Sequence, residues 1–136
     1  MKIVVSAQVD APLADVWSAY TTPADIVNWN SASDDWCTRW ATVDLRVGGE
    51  FCARMEARDG SVGFDFTGTY SVVEPMTLIE YHCWDRHVRV DFEAQEAAAV
   101  VVRVSFDPED ENPLELQRQG WQAILDNFAR YVAAKS

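Results

Sequence analysis

The stretch that decides the fold is QRQGWQAILDNFARYV, residues 117–132. Nearly every residue in it favours a helix, yet Gly120 stands in its interior, where glycine costs about 1 kcal/mol relative to alanine. The helix is announced upstream by ENPLEL at 111–116, with Asn112 as N-cap, Pro113 at the first helical position and Glu115 placed for a capping box. About 22 residues then run on without another proline, which predicts a C-terminal helix about 33 Å long. At about 100° per residue, Leu114, Gln117, Trp121, Leu125, Phe128 and Val132 share one stripe. Gln119, Gln122, Asp126 and Arg130 lie opposite, and Asp126 and Arg130 are spaced for an ion pair on a wet face. Gly120 falls on the shoulder of the stripe with Ile124 and Tyr131. Its missing side chain either admits a neighbouring element against the helix backbone or leaves a hollow beside Trp121.

Upstream of this helix, from Trp36 to Phe106, the chain reads as strands over about 36–45, 49–57, 63–74, 77–84, 86–95 and 98–106. VGGE, RDGS and VEPM supply turn signals between them, and such short connections predict an antiparallel meander. KIVVSAQV gives a first strand over 2–9. DAPLADVWSAYTTPADIVNW then predicts two short helices, about 12–20 and 23–28. Asp10 is the expected cap of the first, ahead of Pro12; Thr22 is the cap of the second, with Pro23 at its first position and Asp25 three residues after the cap. This order predicts an α+β protein, a twisted antiparallel sheet with its helices on one face.

Alternation assigns the sheet faces. Phe64, Phe66, Gly68, Tyr70 and Val72 point one way; Phe51, Ala53 and Met55 form the matching set on the neighbouring strand, as do Val88, Val90 and Phe92. Ile79, Tyr81 and Cys83 form another set, with Tyr81 inward; Trp84 is left unassigned. A face so rich in rings, opposed by a helix whose stripe is interrupted by glycine, fits either a filled core or an apolar cavity.

Composition narrows the function classes. At 136 residues the chain is read as one domain spanning 1–136, and its formal charge of −11 repels phosphate backbones and anionic lipid. Neither nucleic acid nor a membrane is an expected partner. MKIVVSAQVDAP is neither a signal peptide nor a membrane span, so a cytoplasmic location is expected. Cys37, Cys52 and Cys83 include no close pair and read as buried reduced thiols. HCWDRH at 82–87 is the one cluster that invites a metal, but His82 and Cys83 alternate faces and no second pair stands at ligand spacing. Gly48 and Gly49 lack the rest of a phosphate loop, so no cofactor is expected. No nucleophile elbow is present. Glu80, His82, Asp65 and Arg89 are the polar strand residues that acid–base chemistry would need inside, and a solvated outer face is their expected place. NWNSASDDWCTRW at 28–40 is either a lid, with Trp29 and Trp40 on the cavity and Asp34 and Asp35 in water, or a folded-back loop whose tryptophans complete the core.

VDAPLADVW at 9–17, DLRVGGEF at 44–51, GTYSVVEP at 68–75, FDPEDENP at 106–113 and QRQGWQAILDNFARYV at 117–132 together resemble the single-domain proteins related to the activator of the ninety-kilodalton heat-shock-protein ATPase. That family lies within the START-like and polyketide-cyclase superfamily. The resemblance implies a helix-grip fold: a curved sheet of six or seven antiparallel strands gripping a long C-terminal helix, with a pocket between them that superfamily members use for apolar molecules. It also implies that close approach at Gly120 fixes the helix while Trp121 fills or closes the base of the pocket. Two departures bear on ligand entry: Arg86 and His87 stand where a glycine is usual after the turn aspartate, and AAA at 97–99 replaces a polar turn.

The reading reached from the sequence is a binder of an apolar or aromatic small molecule. Phe51, Met55, Phe64, Phe66, Tyr70, Tyr81, Trp121, Leu125 and Phe128 line its pocket, and Trp29 and Trp40 its mouth. Two alternatives stay open. The family name suggests a stress-response module that regulates a heat-shock chaperone, although the sequence matches only the C-terminal part of the eukaryotic activator. The cyclases suggest an enzyme of cyclase or hydratase type, which requires a buried carboxylate or His on the cavity wall. Both monomer and homodimer are compatible with the sequence.

Overall fold

The computed structural model describes residues 2–96 and 98–135. The expected turn at 97–99 therefore lies partly outside the described residues. In chain order the elements are β1 (Ile3–Val9), α1 (Leu13–Thr21), α2 (Pro23–Trp29), β2 (Trp36–Val43), β3 (Glu50–Ala57), β4 (Gly63–Glu74), β5 (Leu78–Cys83), β6 (Arg86–Gln95), β7 (Ala99–Phe106) and α3 (Leu114–Lys135). The strands form one antiparallel sheet in the order β1-β7-β6-β5-β4-β3-β2. From β2 to β7 each strand pairs with the next, as short turns require; β1 pairs instead with β7, because α1 and α2 carry the chain across to the other edge.

The helices therefore meet both edges of the sheet, α3 packing along β1 and α2 against β2. Gln122, expected on the wet face, covers the free edge of β1: its Nε2 donates to the Ser6 carbonyl at 2.9 Å and to Asp126 at 2.9 Å. The expected Asp126–Arg130 pair is thereby replaced, and Arg130 donates to Asn127. The core runs between α3 and the strands, with Val9, Val16, Val90, Val100, Val102, Phe106, Phe128 and Val132 almost wholly buried. Among the described residues no helix is long and apolar enough to cross a membrane.

Two bulges change which side chains face inward. Thr38 pairs with Met55 and Ala41 with Ala53, so β2 carries one extra residue at Arg39–Trp40. Thr38 and Val43 then face inward while Trp40 is left 47% exposed. In β4 the register shifts between Tyr70 and Val72, and Val73, opposite Ile79, packs on the core in place of the expected Val72. A single extra residue inverts every later side chain, which simple alternation cannot foresee.

The helix starts also differ from expectation. Asp10 accepts from Gln8 at 3.1 Å, and α1 begins after Pro12 with no side-chain cap. Thr22 likewise makes no side-chain cap to α2. Ahead of α3, Asn112 Nδ2 donates to Glu109 at 2.9 Å and Glu115 pairs with Arg118, while Gln117 Nε2 donates to the carbonyls of Glu109 (3.0 Å) and Asn112 (2.8 Å).

Asp25, expected near a cap, clamps the far end of α3 instead. Its carboxylate is buried and accepts from Tyr131 Oη and Lys135 Nζ, each at 2.5 Å. Burial pushes the Asp25 carboxyl up, but the hydrogen bonds from Lys135 and Tyr131 outweigh it and hold the group below its ordinary value. A carboxyl depressed in the folded state stabilises above its unfolded value, and that contribution disappears as pH falls through the folded one. We expect Asp25→Asn to cost about 1–3 kcal/mol at neutral pH in urea unfolding. The gap from wild type should narrow below about pH 4; a gap independent of pH would show that the carboxylate charge plays no part.

Candidate functional site: an apolar cavity

Where the sheet curls over toward β2, the rings on its concave face do not meet α3 everywhere. A cavity of about 210 Å³ lies between β2–β5, α1, α2 and α3. One wall depends on a glycine. Phe51 sits across from Gly68 in the β3–β4 pair, and a Cβ on Gly68 would lie 2.4 Å from Phe51 Cε2. The absent side chain lets the Phe51 ring lie against the β4 backbone, an arrangement in which a strand glycine is shielded by a cross-strand aromatic. From there Phe51 meets Tyr81 edge-on at 4.8 Å between centroids, Tyr70 at 5.5 Å and Phe66 at 5.7 Å.

On the helix side, Trp121 stacks on Phe106 at 4.2 Å and 14°, and presents its edge to Phe66 at 6.4 Å. Trp29, at the end of α2, is fixed by its Nε1 donating to the Ala19 carbonyl at 3.0 Å, with its ring against Tyr20 and Phe128. The loop after it is tied down as well. Thr38 Oγ1 donates to the Asn30 carbonyl at 2.7 Å and Asn127 Nδ2 to the Ser31 carbonyl at 2.5 Å.

Of the residues expected at the pocket, Trp29, Phe51, Phe66, Tyr70, Tyr81 and Trp121 stand on the cavity wall. Five others do not. Leu125 and Phe128 are buried in the core behind it, because, of the expected stripe, α3 turns only Trp121 toward the cavity, together with Ile124 from its shoulder. Met55 is half-buried on β3, opposite Thr38 and beyond Ala53. Phe64, 43% exposed, packs on Trp36 at 6.1 Å near the end of the same hairpin. Trp40 is turned out by the β2 bulge. The stretch 28–40 matches neither the expected lid nor the expected folded-back loop in full: Trp29 serves core and cavity together, and Trp36 and Trp40 belong to a strand.

The sequence reading missed Tyr20, Ile26 and Ile124, which also stand on the wall. A signal for Tyr20 existed, since Leu13, Val16, Trp17 and Tyr20 follow the helical i, i+3, i+4, i+7 spacing. Gly120 does not admit a neighbouring element: a Cβ there would meet nothing within 4 Å. The close approach expected at Gly120 is found at Gly68.

Ionisable groups lie elsewhere. Among the described residues no Asp, Glu, His, Lys or Arg lines the cavity, and no group of three His, Cys, Asp or Glu is arranged to hold a metal ion. Glu80 is held by His87 Nε2 at 2.6 Å, Asp65 by Arg54 at 3.2 Å, and Arg89 by Asp91 at 2.9 Å. Asp107 receives Lys2 Nζ at 3.0 Å. His82 is exposed, Trp84 is 68% exposed at a left-handed φ of 58°, and the Arg86 guanidinium lies 5.3 Å from the Trp84 ring. The three cysteines are free; Cys37 and Cys52 are only half-buried, whereas Cys83 is buried, which pushes its thiol up to about 12. On the wall, burial first and neighbouring phenols second raise Tyr20 and Tyr81 well above the ordinary tyrosine value; for Tyr70 burial is joined by the Asp44 carboxylate.

Residues 10–133 match the family described as "Activator of Hsp90 ATPase homolog 1-like protein". The chain belongs to this family. The AHSA1-like protein from Aeromonas hydrophila, solved in solution by NMR, is 44% identical and superposes with a TM-score of 0.92 over 99% of this chain and 94% of that one. A protein of Cytophaga hutchinsonii is 43% identical with a TM-score of 0.83, covering 98% and 93% of the two chains. A Chromobacterium violaceum protein shares the fold at 22% identity, with a TM-score of 0.86 and 98% of each chain covered. No curated protein matches. AHSA1-like membership, and with it the helix-grip architecture of the wider superfamily, accounts for the fold and leaves the activity to be argued from the site.

The two glycines predict opposite responses. Gly68→Ala displaces the Phe51 ring toward the cavity and should destabilise by about 1–3 kcal/mol. Gly120→Ala, in a helix with open space around it, should stabilise by about 0.5–1 kcal/mol. Urea unfolding of both variants reads the difference, and a destabilised Gly120→Ala would return that glycine to a packing role.

Proposed function

We propose that this protein binds a small apolar or aromatic molecule in the cavity between the sheet and α3. One observation carries the reading: a space of about 210 Å³, walled by seven aromatic side chains, that the surrounding residues leave unfilled. Protein interiors are otherwise close-packed, and an apolar cavity of roughly 150 Å³ suffices to take up benzene. The wall's lack of charge suits an uncharged guest, and the negative surface supports a partner that is neither nucleic acid nor anionic lipid. A chaperone partner rests on the family's name alone. A cyclase or hydratase would need a carboxylate or His where the wall offers only phenols and the Cys52 thiol.

The test is an NMR titration with naphthalene, following the six indole Nε1–H signals. Those of Trp29 and Trp121 should shift together and saturate, while those of Trp40 and Trp84, which stand outside, should stay in place. Native mass spectrometry of protein purified from its own cells should then show a small neutral adduct. Uniform small shifts at all the indoles, without saturation, would remove the cavity as a binding site.

A further inference from the structure

The cavity wall carries three phenol groups with nothing to bond. Tyr70 and Tyr81 are each only 7% exposed, with ring centroids 6.4 Å apart on adjacent strands, and Tyr20 faces the same space from α1. None of the three hydroxyls has a hydrogen-bond partner among the described residues. Yet no polar side-chain atom there is both sealed and unpaired, so these oxygens keep accessible surface, and the space their residues line is the cavity. The remaining tyrosine is the contrast: Tyr131 donates to Asp25. A buried phenol ordinarily finds a partner, and phenylalanine would supply the same ring contacts without the need for one.

We infer that Tyr20, Tyr70 and Tyr81 form a polar patch for one oxygen of the bound molecule, and that the ligand is an uncharged aromatic of one or two rings bearing a hydroxyl or carbonyl. This rests on the ligand-binding reading of the same cavity. Three elements, α1, β4 and β5, bring the phenols to one space, while Phe51, Phe66 and Trp121 supply flat apolar walls for the ring. Phenols are protonated at neutral pH whether buried or not, so they act as donors as well as acceptors, which suits a carbonyl or a hydroxyl. A carboxylate ligand would meet no cation on the wall. Size sets the other limit. Scaled from benzene in about 150 Å³, the cavity takes roughly 8–10 non-hydrogen atoms, so a sterol or a long acyl chain would have to extend out of it.

The test compares p-cresol with p-xylene, which differ by a hydroxyl in place of a methyl and have nearly the same shape. A purely apolar cavity prefers p-xylene, because the hydroxyl must give up water for nothing. In NMR titrations of the wild type read at Trp29 and Trp121, p-cresol should bind about tenfold more tightly than p-xylene, the hydroxyl's bonds outweighing its desolvation. Tyr70→Phe and Tyr81→Phe should each weaken p-cresol while leaving p-xylene within about threefold, and the double variant should reverse the order. Tyr20→Phe serves as the third variant if either of these melts early. The patch is refuted if wild type prefers p-xylene, or if the folded variants hold p-cresol unchanged; the apolar cavity would then survive alone. If neither compound binds wild type, the ligand-binding reading fails with it.

Discussion

The position of α3 over the sheet is set by one stack, the indole of Trp121 lying flat on Phe106. Phe106 ends the strand beside β1, so the helix rests on that side of the sheet and not across its middle. The helix has a second anchor near its C-terminus, where Tyr131 and Lys135 reach the buried carboxylate of Asp25 on α2. Between the two anchors Leu125 and Phe128 seal the core. On the flank facing β3–β5, no side chain of the helix reaches far enough to close the space. The cavity is thus a consequence of where the helix is held, and its aromatic lining is a consequence of which strands lie beneath the part it does not cover.

Much of this was legible in the sequence because it rests on periodicity and punctuation. The breaks at VGGE, RDGS and VEPM mark short connections, and short connections between strands leave few topologies. Phe51, Ala53, Phe66, Tyr70, Ile79 and Tyr81, all on the wall, follow from strand alternation alone. The failures have local physical causes. The bulges at Arg39–Trp40 and near Ser71 insert one residue each and leave no compositional trace, so the sequence alone points Trp40 and Val72 to faces they do not occupy. The helix stripe identifies Trp121 but not its neighbour Ile124 on the cavity wall, because an amphipathic pattern fixes the buried side only as an arc. Asp25 read as a capping residue since its partners lie more than 100 positions away, where no local rule reaches. Gly120 and Gly68 show the same limit: space around a glycine is a tertiary property.

Charge is segregated as sharply as the rings. Lys2, Glu80, His87, Arg89, Asp91 and Asp107 interlock on the outer side of the sheet, while the inner side of the same strands contributes Tyr81, Val88 and Val90. Alternation along a strand delivers both sets at once. The outer pairs are partly exposed to solvent and contribute little stability each. Their larger effect is to leave the inner face without an ionic group, so the phenols are the strongest hydrogen-bond donors the cavity wall has to offer.

A gap of this size is costly to keep, of the order of a few kcal/mol if it is dry. Closing it needs no change of fold. Ala41 and Ala53 face each other across the β2–β3 pair on the cavity wall, and a larger residue at either would extend into the space. Gly68 holds the Phe51 ring back against the strand, where any side chain would push it inward. Small residues stand where bulk would fill the cavity, and hydroxyls stand where bare rings would pack equally well. Both choices sacrifice stability at the same place, and a bound molecule that fills the gap and pairs with the phenols would restore it.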